Sequence, residues 1–461
     1  MIMDEMLIFK EQKNYKEHSV DILNGSLNKY ELAIGVTKKF LEQQGDSYMI
    51  YENKSRGEIS LGIGKYLEIS FFSDKIQIKK GDNVEEVFVD DINKDIYNIF
   101  KKVHIDGWKA YGFANFSYAK KTFLNTANDD ELMKLFIPNI DIRIEKNRIL
   151  IRYMEEFECI VSMVEDCLSN LKEVKEIITE NDKSKLELIK SIEEDYYKSI
   201  VSKATEEIKS NKYEKVILSR KINLGKRISF MDSYLEGRRH NNPARSYCMK
   251  IDDLEVVGFS PETVVEVDRD KTVYTFPLAG TRALTEDKEL NKKLKDELLK
   301  DPKEIAEHAV SVKLAYEELE KVCDKDSVSV IQFMDVLERG TVQHLASRLR
   351  GKIKDEFNEW HAFTTLFPAV TASGIPKKEC IEAIDRLEKD ERGLYSGGVL
   401  TYDKDGTLDV ALVLRTAFQN EKESWVRVGA GIVKLSNPER ELEETKEKVG
   451  SIINKLVYIE D

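Results

Sequence analysis

Asp301-Pro302-Lys303-Glu304-Ile305-Ala306-Glu307-His308 is a helix start that also carries a pair of acids. Asp301 can cap the first turn, and proline suits the first helical position because its missing N–H has no helical partner there anyway. Glu304 and Glu307 stand three apart, so both carboxylates project from one face of the first turns. Asn437-Pro438-Glu439-Arg440-Glu441-Leu442-Glu443-Glu444 repeats the pattern towards residue 461, with Glu441 and Glu444 again three apart. Two such helix starts facing each other would offer hard oxygen donors to a divalent cation, and donors of that kind suit Mg2+. A capping role accounts for the acids equally well, since Glu304 sits where a capping box places its glutamate and acids favour helix N-termini. The pair alone leaves both readings open.

The remaining composition narrows the class. The 461 residues are 41% hydrophobic and 34% charged, a globular balance with room for one large core or two lobes. A net charge of −13 argues against a nucleic-acid partner, which needs a basic face. No apolar run has membrane-spanning length and the first residues show no signal-peptide pattern, so a cytoplasmic protein with no membrane partner is expected. Cys159, Cys167, Cys248, Cys323 and Cys380 are odd in number and lack CxxC spacing, which reads as reduced thiols and not as zinc ligands or a disulfide framework.

Outward from the two acidic helices, the pattern is α+β. A helix is expected around Leu27, Tyr30, Ala33 and Ile34, then strands at Tyr48 to Tyr51, Glu58 to Gly62, Tyr66 to Ser73 and Lys75 to Lys79. Ile92 to Val103 is helical; Tyr111 to Tyr118, Leu135 to Arg143 and Arg148 to Tyr153 are β-prone. Glu155 to Lys209 is long, charged and helical, with a polar patch at Glu180-Asn181-Asp182, and reads as the connection between lobes 1–200 and 201–461 of a single enzyme domain. Beyond it, Lys215 to Ile222 is a strand and Ser229 to Arg239 a helix. Ser246 to Ile251, Glu255 to Phe259, Thr263 to Val267 and Thr272 to Phe276 read as an antiparallel meander. Val328 to Leu337 and Gly340 to Ile353 are extended. Trp360 to Leu366 and Lys378 to Leu387 are helices around a Pro368–Pro376 loop. Tyr395 to Tyr402 and Asp409 to Phe418 form a hairpin, followed by the strand Val426 to Val433. Strands and helices do not alternate strictly, so a two-lobed layered fold of large, mostly antiparallel sheets flanked by helices is expected, with no internal repeat.

Several segments, in order, resemble one enzyme family. They are Lys215-Val-Ile-Leu-Ser-Arg220, Gly258-Phe-Ser-Pro-Glu262, Pro277-Leu-Ala-Gly-Thr-Arg-Ala283, the Asp301–His308 stretch, Glu338-Arg-Gly-Thr-Val-Gln-His344, Phe367-Pro-Ala-Val-Thr-Ala-Ser-Gly-Ile-Pro-Lys377, Arg392-Gly-Leu-Tyr-Ser-Gly397, Gly429-Ala-Gly-Ile432 and Pro438-Glu-Arg-Glu-Leu-Glu-Glu444. Each is weak alone; the ordered set resembles the chorismate-utilising enzymes, whose large two-lobed fold is that of anthranilate synthase large subunits. Within that family the likeness is to salicylate synthases of siderophore pathways. Ammonia-using members typically carry glutamine where this chain has Lys215. Aminodeoxychorismate synthases carry a nucleophilic lysine where this chain has Ala279. The Leu-Leu-Glu-Ser motif of tryptophan-inhibited members is absent, and so is a fused amidotransferase domain.

The resemblance implies the chemistry. Chorismate would take water at C2 and lose its C4 hydroxyl, which needs a base on one face and an acid on the other. Lys215 would be the base, and must be neutral to act, which burial or nearby cations would favour. Glu262 would be the acid, and His344 a further catalytic residue. Glu304, Glu307, Glu441 and Glu444 would hold Mg2+, which neutralises the ring carboxylate. Tyr395, Arg415 and the Gly429-Ala430-Gly431 backbone would hold the enolpyruvyl carboxylate, Thr281 would meet the ring, and Lys448 would pair with substrate or the acids. Thr371 and Ser373 would line the pocket. The implied product is salicylate with pyruvate, reached through isochorismate; stopping at isochorismate is the alternative. No amidotransferase subunit is implied, and the chain is expected to be a monomer or weak oligomer.

Overall fold

Most strands of this chain are apolar on both faces, which demands cover on both sides. Tyr48–Asn53 is buried throughout, with Tyr48 and Ile50 in one core and Met49 and Tyr51 in another. The computed structural model, which describes residues 6–10, 12–22, 28–42, 47–126, 130–170, 194–339 and 342–459, meets that demand with four layers. An 11-stranded and a 12-stranded sheet, paired antiparallel, face each other and each carries helices on its outer face. Met49, Tyr111, Phe136, Tyr247, Val256 and Phe418 fill the space between the sheets. Helices Lys29–Leu41, Cys159–Asn170, Phe230–His240 and Pro438–Ile453 cover the first sheet. Ile92–Lys101, Pro302–Val322 and Glu359–Leu366 cover the second, and Lys377–Leu387 packs on Lys215–Asn223 at the edge of the first.

The expected absence of a repeat is corrected by the topology. In residues 48–153, a hairpin in the first sheet leads to two hairpins in the second and one back in the first. Residues 245–432 do the same: Arg245–Ile251 with Leu254–Ser260, Thr263–Val267 with Thr272–Thr275, Gly398–Asp403 with Leu408–Leu412, and Thr416–Gln419 with Ser424–Ile432. The halves join where Tyr48–Asn53 pairs Arg245–Ile251 and where Lys109–Ala114 pairs Gly398–Asp403, so each sheet runs through both. Backbone layout repeats where side chains do not, which is why the sequence hides it.

The expected meander and terminal hairpin are corrected for the same reason. Leu254–Ser260 and Thr263–Val267 belong to different sheets, and the chain crosses between them at Pro261-Glu262. The stretch read as one strand from Asp409 to Phe418 is broken; it crosses back at Val413–Arg415, with Arg415 at φ 51°. The two crossings lie side by side. Leu412 N donates to Glu262 O (3.1 Å), Phe259 N to Arg415 O (3.3 Å), and Ser260 Oγ lies 2.8 Å and 2.6 Å from the carbonyls of Glu262 and Leu412.

Other differences are local. The Pro368–Pro376 loop contains a helical turn, Val370–Ser373, and a two-residue strand, Gly374–Ile375, that pairs with Lys215 and Val216. Tyr111 to Tyr118 divides into the strand Lys109–Ala114 and the start of a helix, Ser117–Leu124. The helix Lys288–Leu298 and edge strands Lys16–Asp21 and Asn83–Phe88 were not expected. Leu27, the Glu180-Asn181-Asp182 patch, and Gly340 and Thr341 lie outside the described residues. Among the described residues, no helix is long and apolar enough to cross a membrane.

Ser260 is wholly buried and pins the two crossings together. Ser260→Ala is therefore expected to lower stability by about 1 kcal/mol, the net worth of an ordinary hydrogen bond. A denaturant midpoint unchanged from wild type would contradict that role.

Candidate active site

The crossing at Pro261-Glu262 delivers a carboxyl into the protein interior. Glu262 is 5% exposed, and among the described residues its side chain has no cation in hydrogen-bonding contact. Thr371 Oγ1 lies 2.9 Å from both of its oxygens. Burial pushes its pKa up to about 8, against the smaller opposing effects of Thr371, the Leu278 backbone and the charge of Lys215. A carboxyl kept neutral at pH 7 can donate a proton.

Lys215 opens the strand Lys215–Asn223 and reaches the same region. Its stem passes over Gly431, where a Cβ would come within 2.9 Å of Lys215 Cε. Its Nζ hydrogen-bonds Glu307 on the Pro302 helix. Its charged partner is a carboxylate, brought there because the strand end meets the second turn of that helix. To accept a proton, Lys215 has to leave this pairing, since an ammonium held on a carboxylate has no lone pair to offer.

Both acidic helices form with the expected caps. Asp301 Oδ1 accepts from Lys303 N and Glu304 N, and Asn437 Oδ1 from Glu439 N and Arg440 N. Each half-buried acid has a protein partner: Glu304 faces Arg282 and the Thr281 N–H, both at 3.3 Å, Glu307 faces Lys215, and Glu444 faces Lys448 at 2.8 Å. Burial and then Glu444 raise the Glu441 carboxyl, while Lys303 on the other helix start pulls it down, so the two helix starts lie within electrostatic reach. Among the described residues no three His, Cys, Asp or Glu side chains converge on one point as they stand. The chemistry of the set, hard oxygen donors in like-charged company, nevertheless fits a divalent cation.

On the other side the site is cationic. Thr281 and His344 are cross-strand partners, and Thr281 Oγ1 lies 3.1 Å from His344 Nδ1. Arg415 Nη2 donates to His344 Nε2 at 3.3 Å, so Nδ1 carries the ring proton. Burial, then Arg415, Lys448 and Arg339, push the His344 pKa down to about 3. It is a neutral ring in hydrogen-bonding contact with both Arg415 and Thr281. Burial keeps Tyr395 protonated by raising it to about 12, and its hydroxyl lies 3.1 Å from where a Cβ on Gly429 would stand. Lys448 Nζ donates to Gly429 O at 2.9 Å. Strand alternation turns Ala430 away from Gly429 and Gly431 and into the core with Ile432, so only its backbone can face a ligand. Ser373 is likewise turned inward, with Oγ donating to Ala369 O at 2.9 Å; Thr371 alone of that pair reaches the site.

An acid, a lysine, four carboxylates and a cationic pocket, from segments far apart in sequence, therefore come into one region. The family model described as chorismate binding enzyme matches residues 46–454. The chain belongs to the chorismate binding enzymes. It is 33% identical over 439 residues to the salicylate synthase of Mycolicibacterium paratuberculosis, covering 93% of each chain. It is 37% identical to the anthranilate synthase component 1 of Saccharolobus solfataricus, but over 57% of this chain and 62% of that relative. The fold is that of the menaquinone-specific isochorismate synthase of Escherichia coli, with a TM-score of 0.70 over 97% of both chains at 18% identity.

This chorismate-binding enzyme also holds a buried hub that sequence reasoning missed. Glu388 accepts from Arg392, Arg427, Ser219 N and Ser219 Oγ. Arg392 further donates to Ile217 O (2.7 Å), Ala372 O (2.8 Å) and Ser396 Oγ (3.2 Å). The i, i+4 spacing of Glu388 and Arg392 was the available signal; Arg427 had none.

Linkage gives the sign of a pH effect. Glu262 titrates near 8 in the folded enzyme and near 4.5 unfolded, so between those values the native state keeps a proton that the unfolded chain has lost, and stability falls as pH rises. Glu262→Gln cannot ionise and is expected to lose less stability than wild type from pH 5 to 8. Parallel stability curves in denaturant series across that range would contradict the assignment.

Proposed function

We propose that this chorismate-utilising enzyme adds water at C2 of chorismate, expels the C4 hydroxyl to give isochorismate, and eliminates pyruvate to give salicylate. The observation that carries the reading is Glu262: a neutral buried carboxyl, facing a lysine whose charge bears on it, is the acid that hydroxyl departure requires. Lys215, once it has left Glu307 and given its own proton to solvent, takes the proton of the attacking water. Glu262 gives its proton to the leaving C4 oxygen, so the ring gains and loses one hydroxyl and water is regenerated.

The two carboxylates of chorismate match the two charged sides of the site. Arg415, Tyr395 and the bare Gly429–Gly431 strand receive the enolpyruvyl carboxylate through a planar guanidinium, a hydroxyl and exposed backbone. Mg2+ held by Glu304, Glu307, Glu441 and Glu444 would neutralise the ring carboxylate. Pyruvate elimination needs no further group if the C2 hydrogen passes to the enolpyruvyl carbon within the bound molecule; the residues then only hold that conformer. Lys215 in place of the glutamine of ammonia users, and an end-to-end match to a salicylate synthase, favour this reading over an anthranilate synthase subunit.

Purified protein with chorismate and Mg2+, without ammonia, is expected to yield salicylate and pyruvate in equal amounts, and chelator to stop it. Isochorismate accumulating without pyruvate would move the enzyme to the single-step class. Consumption only after ammonia is added would refute the water-adding reading. Glu262→Gln and Lys215→Ala are each expected to lower turnover about 10²- to 10⁴-fold, as for lost general acid or base groups. Turnover should also fall as pH rises past about 8, where Glu262 ionises.

A further inference from the structure

Arg415 is not the sole guanidinium at the cationic end. The strands Ser329–Arg339 and Val342–Lys352 form a hairpin, and Arg339 stands at its tip. The tip is fastened over the site: Arg415 Nη1 donates to Arg339 O at 3.2 Å, and Asn242 Nδ2 to Glu338 O at 3.2 Å. The Arg339 side chain itself makes no hydrogen bond or ion pair with any described residue, and its Nε is buried without a partner. Arg415 likewise has no carboxylate partner among the described residues; its guanidinium meets only a backbone carbonyl and the neutral His344.

The surroundings make this arrangement costly without a ligand. After burial, Arg339 is the charge that lowers Arg415, to about 10, and Arg245 behind it lowers Arg339 in turn. Arg245 is already committed to Asp409, and the acids of the site, Glu304, Glu307 and Glu444, are committed to Arg282, Lys215 and Lys448. Two partly buried guanidinium groups of like charge are stable together only if an anion shares them. Their forks also suit a planar carboxylate.

We infer that Arg339 is a second guanidinium for the substrate, holding the enolpyruvyl carboxylate together with Arg415 and so selecting dicarboxylate over monocarboxylate ligands. This rests on the reading of the site as a chorismate site. It makes Arg339 a binding and specificity residue, with the ring chemistry left to Lys215 and Glu262.

The test compares wild type, Arg339→Gln and Arg339→Lys, with Mg2+ present, against three probes: chorismate, the aromatic dicarboxylate 3-(1-carboxyethenyloxy)benzoate, and benzoate. A lost charge-assisted hydrogen bond should weaken dicarboxylate binding about tenfold to a hundredfold. Arg339→Gln is therefore expected to raise the calorimetric Kd for the dicarboxylate and the KM for chorismate by that factor. Its kcat should stay within about twofold, and benzoate affinity should be unchanged. Arg339→Lys should recover part of the loss. Equal dicarboxylate affinity in wild type and Arg339→Gln would overturn the inference alone. So would an equal loss for dicarboxylate and benzoate, which would make the residue merely structural. Wild type that binds neither chorismate nor the dicarboxylate would overturn the chorismate site and this inference together.

Discussion

The ion cluster of Glu388, Arg392 and Arg427 is the constraint on which the site depends. Glu388 is fully buried, and burial alone would raise its carboxyl; Arg392 and Arg427 outweigh that and hold it below its ordinary value. Such a cluster is weak evidence for stability, since its desolvation is costly, but removing one member leaves a buried charge uncompensated at about 3–5 kcal/mol. Its value is geometric. Arg392 fastens Ile217 on the Lys215 strand, Ala372 beside Thr371, and Ser396 beside Tyr395, with its guanidinium 5.7 Å from the Tyr395 ring. Arg427 fastens the strand that carries Gly429 to the Asp390 and Glu391 carbonyls. Segments far apart in sequence are thereby held to a common origin, which proton transfer over a hydrogen-bond length requires.

The charges follow a division of labour that the same logic explains. Acids and their counter-ions gather at the two proline-started helices, whereas Arg339, Arg415 and the neutral His344 gather opposite them without acids. Glu262 is raised by burial, and the charge of Lys215 offsets only part of that. Moving any acid across the site would quench the cations, and moving a cation beside Glu262 would ionise it. On the proposed reading, the separation lets an acid stay protonated beside an anion pocket.

Much of this was legible in the chain because it rests on local rules. Asp301-Pro302 and Asn437-Pro438 announce capped helices, and the i, i+3 acids follow. Alternating apolar runs announce sheets. The rest depends on long-range placement. Nothing in Ser260-Pro261-Glu262 says that the chain changes sheets there, because a crossing and a turn use the same residues. Nothing in Lys215 says that it meets Glu307, 92 positions away. The Gly429-Ala430-Gly431 motif was read as bare backbone, and alternation agrees with that for Ala430, whose side chain lies in the core. The start of the helix Ser117–Leu124 was missed because Phe116 and Tyr118 prolong the aromatic pattern of the strand before it.

The repeated layout locates the source of the chemistry. Both halves have the same eight-strand course and the same pair of crossings, yet only the second carries Glu262, Arg339, Arg415, Glu304 and Glu307. At the corresponding crossings of the first half stand Gly64-Lys65-Tyr66 and Pro138-Asn139, where the Asn139 side chain packs against Gly64 and no acid enters. Between its central hairpins the first half has one short strand, Asn83–Phe88, and the helix Ile92–Lys101. The second half has in that place everything from Leu278–Ala283 to Lys377–Leu387, and this span supplies Thr281, Glu304, Glu307, Arg339, His344 and Thr371. The sheets could pack without it, as the first half demonstrates. The two-sheet scaffold thus provides a crossing point that buries one side chain, and the long excursion between hairpins, anchored by Glu388 and Arg392, turns that buried position into an acid facing a lysine.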